Sequence, residues 1–271
     1  MNGIDTTEWN PKTDKFLKPE WRFDIQDFET KKVAIKLALQ EKLGLIRDPT
    51  AALYVFIGRL TEQKGVDVLL AALPMVFLGS PAPSPQQYAL ECHRSQMESS
   101  ERGEARMIQM AMLGTGDSWM ERSLECLSLS FPGYAAGLAL FSEQLAHLML
   151  AAADYVIVPS RFEPCGLIAQ CALRYGAVPI VTAVGGLRDL VTSDVGHVVP
   201  SFSCANDPVG QQEDIKRVSE MIKRTALECG SPSYRKLQQS CMQKDLSWDK
   251  PAEEWEEILN QVAQKGGGCE A

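Results

Sequence analysis

Short apolar runs alternate with amphipathic stretches along most of the chain. Residues 53–57 form a continuous apolar run rich in aromatic and β-branched residues, which is typical of a parallel strand buried on both faces. Between residues 66 and 73 the apolar positions instead recur at the three- and four-residue spacing of one helix face. Further strands are predicted at residues 107–113, 137–141, 155–158, 178–182 and 197–199. This alternation predicts an α/β fold with right-handed βαβ units and a Rossmann-like, doubly wound, mainly parallel sheet.

Two segments break the alternation. Residues 79–106 contain three closely spaced prolines ahead of a polar, charged run, which indicates a loop insertion between a helix and a strand. Residues 265–271 include three consecutive glycines, so we expect a flexible tail there. The remaining pattern predicts one domain over residues 1–271.

The C-terminal part of the chain, residues 212–264, has a charged and helical pattern that carries Trp248 and Trp255. The two indole rings could form a sugar-stacking platform, or they could pack against the sheet. Their spacing on a charged terminal helix favours packing.

Composition and charge exclude several classes of function. The chain has 271 residues, 45% of them hydrophobic, which is enough to bury a sizeable core. Lys and Arg number 27 against 35 Asp and Glu, so the formal net charge is −8 and no general basic field is available for nucleic acid or an anionic membrane. No apolar run approaches the ~20 residues of a membrane-spanning helix. The sequence therefore predicts neither a nucleic-acid nor a membrane partner.

Cysteine and histidine spacing gives no sign of a metal site. The eight cysteines include no Cys-x-x-Cys pair, which favours reduced thiols over a disulfide scaffold. The three histidines have no paired metal-ligand spacing. We expect no bound metal.

The first segment that could carry chemistry follows the predicted strand at 53–57. Residues 58–65 read Gly-Arg-Leu-Thr-Glu-Gln-Lys-Gly and precede the predicted helix. In a doubly wound sheet, ligands bind at the carboxyl ends of the strands, where this segment must lie. Arg59 and Lys64, close to a helix start, suit the neutralisation of a diphosphate. The alternative is a solvated turn with two surface cations.

Two glycine-containing turns follow other predicted strands. Gly114 and Thr115 lie in the sequence Leu-Gly-Thr-Gly-Asp, where glycine lets a nucleotide approach the backbone closely. Taken alone, this turn is better explained as a tight strand-to-helix connection. Gly185 and Gly186 form a second amide-rich turn, after the predicted strand at 178–182.

Residues 159–167 read Pro-Ser-Arg-Phe-Glu-Pro-Cys-Gly-Leu and follow the strand at 155–158. Pro164 suits the first turn of a helix, where its missing N–H costs nothing. Glu163 would lie at the N-terminus of that helix and accept hydrogen bonds from sugar hydroxyls. The alternative is that its carboxylate only stabilises the helix N-terminus. Four such segments at one edge of the sheet together predict a ligand site.

The same segments, in this order, resemble the starch synthases and bacterial glycogen synthases. The motifs that carry the resemblance are Asn-Gly-Ile-Asp at 2–5 with Trp9 and Pro11, Gly-Arg-Leu at 58–60 with Gln-Lys-Gly at 63–65, Leu-Gly-Thr-Gly at 113–116, Ser-Arg-Phe-Glu-Pro-Cys-Gly-Leu at 160–167 and Ser-Trp at 247–248. The resemblance runs through almost the whole chain except residues 81–106. The ending, residues 245–256, is most similar to the plant and algal granule-bound members.

Members of this family have two domains, and the resemblance covers the second. The Lys-x-Gly-Gly-Leu loop of the family's N-terminal domain does not occur in this sequence. We therefore expect an isolated C-terminal domain without the N-terminal acceptor domain. By itself such a chain is expected to bind ADP weakly and to synthesise no glucan.

The resemblance implies a GT-B fold and a retaining transfer of glucose from ADP-glucose to the non-reducing end of an α-1,4-glucan, with no metal or other cofactor. Arg59 and Lys64 would hold the diphosphate and Glu163 the donor glucose, which makes these three the predicted catalytic residues. Phe141 would stack on adenine. The predicted nucleotide-sugar-binding residues are Gly114, Thr115, Phe141, Cys165, Gly166, Leu167, Gly185 and Gly186.

Several alternatives stay open at this point. The chain could be a non-catalytic nucleotide- or glucan-binding domain, or half of a UDP-glucose-dependent transferase. Its expected location is a plastid, or the cytoplasm for a bacterial protein, with a starch granule or a missing N-terminal domain as candidate partners.

Val184 stands where the family usually has threonine, which removes a hydroxyl contact to phosphate. For His147, which resembles a residue that the family keeps, a packed structural role is favoured over a catalytic one.

Overall fold

The computed structural model describes residues 2–79, 106–204 and 207–266. Within these residues six strands form one sheet in the order β3-β2-β1-β4-β5-β6, and every neighbouring pair is parallel. The strands are β1 (Ala52–Ile57), β2 (Ile108–Leu113), β3 (Ala135–Leu138), β4 (Tyr155–Val158), β5 (Val178–Thr182) and β6 (His197–Val199). This order is that of a doubly wound Rossmann sheet, so the predicted fold class is confirmed.

Helices connect the strands and continue after the last one. The described α-helices are α1 (Phe28–Leu43), α2 (Val66–Leu78), α3 (Ser118–Glu125), α4 (Leu127–Ser130), α5 (Glu143–Ala152), α6 (Leu167–Arg174), α7 (Gly185–Leu190), α8 (Pro208–Glu228), α9 (Pro232–Gln243) and α10 (Asp249–Gly266). Short 3₁₀ turns occur at Pro19–Trp21 and Glu62–Lys64. Residues 80–105 of the predicted insertion and 267–271 of the predicted tail lie outside the described residues.

Continuous apolar runs form the centre of the sheet. All residues of β2, β4 and β5 are buried, as are all but the last of β1, because helices cover these strands on both faces. The helix expected from residue 66 is present as α2, and it buries Val66, Leu69 and Leu73.

The predicted bounds of the third strand are wrong. We expected residues 137–141, but β3 begins at Ala135, where it pairs with Met110 of β2, and ends at Leu138. Phe141 lies beyond the strand, beside the N-cap Ser142 of α5, and is 88% exposed. An apolar run does not mark the register of a strand, because the register is set by pairing with the neighbouring strand.

The packing expected for the two C-terminal tryptophans is also wrong. Trp248 is 45% and Trp255 is 55% exposed, and α10 carries further exposed apolar side chains at helical spacing after Trp255. The apolar stripe therefore lies on a helix face that the described residues leave uncovered. None of the described helices has the length and hydropathy needed to cross a membrane.

A buried charged cluster stabilises the amino-terminal edge of the sheet. Asp154, just before β4, accepts a hydrogen bond from the Leu53 N–H at 2.8 Å, and its Oδ2 lies 2.5 Å from Lys36 Nζ. The Tyr234 hydroxyl of α9 donates to the Asp154 carbonyl at 3.0 Å. Asp154, Lys36 and Tyr234 are all buried, so the backbone and side chain of this one aspartate join β1, β4, α1 and α9.

We expect Asp154→Ala to lower the free energy of unfolding by about 3 kcal/mol or more, because it leaves a buried ammonium unpaired. The double variant Asp154→Ala/Lys36→Met removes both charges and should lose less stability than the single variant. Urea unfolding monitored by circular dichroism measures both. A double variant that is less stable than Asp154→Ala would contradict this account of the cluster.

Candidate functional site

The loops after β1 and β4 leave the sheet side by side. These strands are neighbours in the sheet, but the chain continues from β1 towards β2 on one side and from β4 towards β5 on the other. Such a reversal opens a crevice at the carboxyl ends of the strands, where doubly wound proteins bind ligands. The first loop carries Arg59 and Lys64, and the second carries Glu163.

Arg161 fastens the two loops together. Its guanidinium makes two hydrogen bonds of 2.7 Å to the Asp67 carboxylate in the first turn of α2, and Nη1 also donates to the Glu62 carbonyl at 2.6 Å. The Arg161 N–H donates to the Gln63 carbonyl at 2.8 Å. The hydrogen bonds to Asp67 raise the pKa of Arg161 above its ordinary value. Sequence reasoning gave Arg161 no role, although two-pronged pairing of arginine with carboxylate is a strong positional restraint.

Gly65 lets the two loops touch. It has a φ of +67°, and a Cβ atom built on it would lie 1.9 Å from the Pro159 carbonyl oxygen. Any side chain at this position would meet backbone of the other loop. The close approach therefore requires glycine at residue 65.

Lys64 and Glu163 form an ion pair within the crevice. Lys64 Nζ contacts Glu163 Oε2, and the Ser160 hydroxyl donates to the same oxygen at 3.2 Å. Glu163 is buried, with 8% of its surface exposed. Its contacts with Lys64 and Ser160 hold the carboxylate in one position. An ammonium has three N–H donors, which leaves Lys64 with donors for a further anion.

Two adjoining cavities lie at this edge of the sheet. The smaller, of about 280 Å³, is lined by Arg59, Lys64, Ser160, Glu163 and Leu167 among others. The larger, of about 410 Å³, is lined by residues that include Trp9, Arg59, Gly114, Thr115 and Phe141. Arg59 is exposed and lines both cavities, and its Nη2 donates a hydrogen bond to Gln63 Oε1 at 3.4 Å. The structure thus brings together the predicted cations, the predicted carboxylate and the predicted base-stacking residue.

Gly114 sets the shape of the larger cavity. A Cβ atom on Gly114 would lie 1.9 Å from the Gly58 carbonyl oxygen, so the loops after β1 and β2 are in backbone contact. The Leu60 N–H donates to the Thr115 carbonyl at 2.9 Å and continues this contact. Thr115 itself is exposed at the cavity.

The glycine pair after β5 packs against the loop that carries Glu163. The Gly186 N–H donates to the Glu163 carbonyl at 3.0 Å, so it is not free for a phosphate in this structure. Gly185 has a φ of +43°, and a Cβ atom there would lie 2.3 Å from the same carbonyl oxygen. These glycines support the backbone of the Glu163 loop, and their assignment as nucleotide-sugar-binding residues, which the family resemblance implies, stays a prediction.

The start of α6 borders the smaller cavity. Leu167, its first residue, lines the cavity, while Cys165 is half-buried and Gly166 has a φ of +68°. The first N–H groups of a helix have no partner within the helix, which suits them to an acceptor at this edge.

Trp9 lines the larger cavity, and His147 lies beneath it. His147 is fully buried and bonded to Asp14 and Tyr175, as the structural interpretation predicted. Trp9 stacks on His147 and lines the cavity, a position that sequence reasoning did not assign. No group of three or more His, Cys, Asp or Glu residues within the described ranges could hold a metal ion.

Replacing Gly65 by alanine should force the two loops apart. We expect Gly65→Ala to lose about 2 kcal/mol or more of unfolding free energy, since overpacking adds to the strain of a positive φ. Gly44→Ala is the matched control, because Gly44 has a φ of +68° and nothing within 4 Å of a Cβ atom. Thermal and urea unfolding of both variants give the comparison, and equal losses would contradict the contact assigned to Gly65.

Comparison with known protein families agrees with this geometry. The family model described as "Glycosyl transferases group 1" matches residues 51–209, which include every strand of the sheet. The matched region also contains Arg59, Lys64 and Glu163.

Individual relatives are similar over nearly all of the chain. It is 38% identical to granule-bound starch synthase 1 of Arabidopsis thaliana over 96% of its length, and 37% identical to that of Solanum tuberosum over 98%. It spans 38% and 39% of those two proteins. The catalytic domain of starch synthase IV from Arabidopsis thaliana, solved with ADP and acarbose, matches 96% of this chain with 28% identity and a TM-score of 0.69, and 48% of that domain is covered.

Proposed function

Because the chain belongs to the group 1 glycosyl transferases, we propose that it binds a nucleotide-diphosphate sugar at the carboxyl edge of its sheet. The protein of which it is part would transfer glucose from ADP-glucose to the non-reducing end of an α-1,4-glucan, with retention of configuration. The observation that supports this most directly is the convergence of Arg59, Lys64 and Glu163 on one cavity.

The two cations would bind the diphosphate. Arg59 lies where the two cavities join, and Lys64 lies further into the smaller one. Negative charge grows on the diphosphate as the bond to the sugar breaks, and cations that are already in position stabilise that charge without reorganising. We therefore propose that Arg59 and Lys64 bind ADP and stabilise its departure.

Glu163 would recognise the donor glucose. An ionised carboxylate only accepts hydrogen bonds, so it suits sugar hydroxyls. Lys64 and Ser160 restrict its position, and the glycine pair Gly185–Gly186 supports its backbone. The N–H groups of Cys165, Gly166 and Leu167 would assist from the start of α6.

The larger cavity would take the nucleoside. Phe141 exposes nearly its whole ring there, which suits stacking against a base, and Gly114 and Thr115 would contact the ribose side. The similar catalytic domain of starch synthase IV was solved with ADP, which favours adenine over uracil as the base. We propose ADP-glucose as the donor, and a comparison of ADP and UDP binding tests the alternative donor, UDP-glucose.

The complete reaction is a proposal for the whole protein, since this chain spans under two-fifths of the curated relatives named above. An α-1,4-glucan is the proposed acceptor, and a plastid with its starch granules is the proposed location, because those relatives are named as chloroplastic or amyloplastic enzymes.

Binding of ADP tests the proposed function. We expect the 271-residue chain to bind ADP, and Arg59→Ala and Lys64→Ala each to weaken binding about tenfold or more, because a hydrogen bond to a charged group contributes about 1.5–3 kcal/mol. Isothermal titration calorimetry with ADP and with UDP gives the affinities.

Lys216→Ala is the charge-matched control, because Lys216 lies on α8 and pairs with Glu220 at the surface. If both site variants bind ADP as tightly as Lys216→Ala does, the diphosphate role is wrong. Tighter binding of UDP than of ADP would support the UDP-glucose alternative.

Glu163→Gln separates sugar recognition from nucleotide binding. The substitution keeps the size of the side chain but removes the charge that favours hydroxyl donors, so it should weaken ADP-glucose binding more than ADP binding. Competition of both ligands against a fluorescent ADP analogue measures the ratio. An equal loss for the two ligands would show that Glu163 only supports the loop.

A further inference from the structure

The N-terminal segment, residues 2–22, lies outside the sheet and packs on α5 and α6. Trp9 stacks on His147 of α5 with ring centroids 4.1 Å apart and planes 10° from parallel. Arg174 of α6 donates to the Trp9 carbonyl at 3.3 Å, and Gln170 donates to the Asn2 carbonyl at 3.0 Å. The stacking of its ring and the hydrogen bonds to the backbone at residues 2 and 9 thus fix the position of Trp9.

Behind Trp9 is a buried hydrogen-bonded cluster of Asp14, His147 and Tyr175. The Tyr175 hydroxyl donates to Asp14 Oδ2 at 2.6 Å, and His147 Nδ1 lies 2.9 Å from the same oxygen. All three residues are almost fully buried. The cluster joins the N-terminal segment to α5 and to the end of α6.

The hydrogen bonds and burial of these three side chains indicate which of them carry protons. Burial raises the pKa of Asp14, but hydrogen bonds from His147, Tyr175 and the Phe16 N–H outweigh it and hold the pKa below its ordinary value. Burial raises the pKa of Tyr175, which therefore keeps its proton. Because an ionised Asp14 only accepts hydrogen bonds, His147 Nδ1 carries a proton and donates it. This bond fixes the plane of the imidazole ring, and the stacked indole follows that plane.

Trp9 is also part of the larger cavity wall. Its side chain is half-buried, in contrast to the fully buried ring of His147 beneath it, and it lines the cavity together with Phe141. Ala146, next to His147 on α5, lines the same cavity. The cavity therefore has two aromatic side chains, and one of them belongs to a segment outside the sheet.

We propose that Trp9 is a nucleotide-contact residue of this cavity and that His147, held by Asp14 and Tyr175, is the positioning residue that sets the orientation of its indole ring. This inference rests on the proposed function, because it takes the ligand of the larger cavity to be a nucleoside. Trp9 would supply a second aromatic surface for the base or ribose, in addition to Phe141. An N-terminal segment bound in this way forms part of the donor site.

ADP titrations of Trp9 variants test the contact. We expect Trp9→Leu, which keeps an apolar side chain but loses the aromatic ring, to weaken ADP binding about fivefold or more, the scale of one base–aromatic contact. Trp9→Phe should retain most of the affinity. Trp21→Phe is the control, since Trp21 lies beside Lys18 on a 3₁₀ turn rather than at the cavity.

Two His147 variants test the positioning role. His147→Ala and His147→Phe both lose the hydrogen bond to Asp14, but only His147→Phe keeps a ring beneath Trp9. We expect His147→Phe to bind ADP more weakly than the wild type, because the plane of its ring is no longer fixed by Asp14, and His147→Ala to bind at least fivefold more weakly than His147→Phe, even when urea unfolding shows equal losses of stability in the two variants. A purely structural histidine would make ADP affinity follow stability in both variants, and that result would overturn the positioning role.

The outcomes distinguish this inference from the proposed function. If the wild-type chain binds ADP, Arg59→Ala weakens binding and Trp9→Leu binds as the wild type does, the Trp9 contact is wrong while the proposed function stands. If the wild-type chain binds no ADP, both are wrong. Fivefold weakening in Trp9→Leu together with recovery in Trp9→Phe supports the inference.

Discussion

The two-pronged contact between Arg161 and Asp67 is the constraint on which the candidate site depends. It joins the loop after β1, which carries both predicted cations, to the loop after β4, which carries Glu163. A Rossmann sheet brings these loops to one edge, but the sheet alone does not set the distance between their side chains. The guanidinium does so, and the missing side chain of Gly65 allows the backbones to meet.

The same arrangement makes the buried charges of the site tolerable. A carboxylate as buried as Glu163 loses most of its hydration, and such a loss is costly unless partners replace the water. Lys64 and Ser160 supply those partners within the crevice. The carboxylate and the ammonium are therefore already oriented without a ligand, and preorganised charge is what a departing diphosphate requires.

Sequence patterns predicted the sheet well because its central strands are buried on both faces and appear as unbroken apolar runs. They also located the candidate site, because loops at the carboxyl ends of parallel strands meet in any doubly wound fold. The failures have physical causes. Phe141 and Trp255 are apolar side chains at exposed positions, and hydrophobicity alone does not distinguish such a position from the core. The role of Arg161 and the requirement for glycine at residue 65 depend on which loops contact each other in the fold. No local sequence pattern encodes that contact.

The polarity of the two cavities favours one orientation of the proposed ligand. The smaller cavity holds Lys64 and Glu163, the larger holds Phe141 and Trp9, and Arg59 lines both. A molecule with an aromatic base at one end, phosphates in the middle and a sugar at the other end matches this order in one direction only. The reverse orientation would place an uncharged base beside an ion pair and would leave the two aromatic rings without a base to stack on. In the proposed orientation the reacting carbon of the donor would lie beside Glu163, at the same edge from which α6 begins.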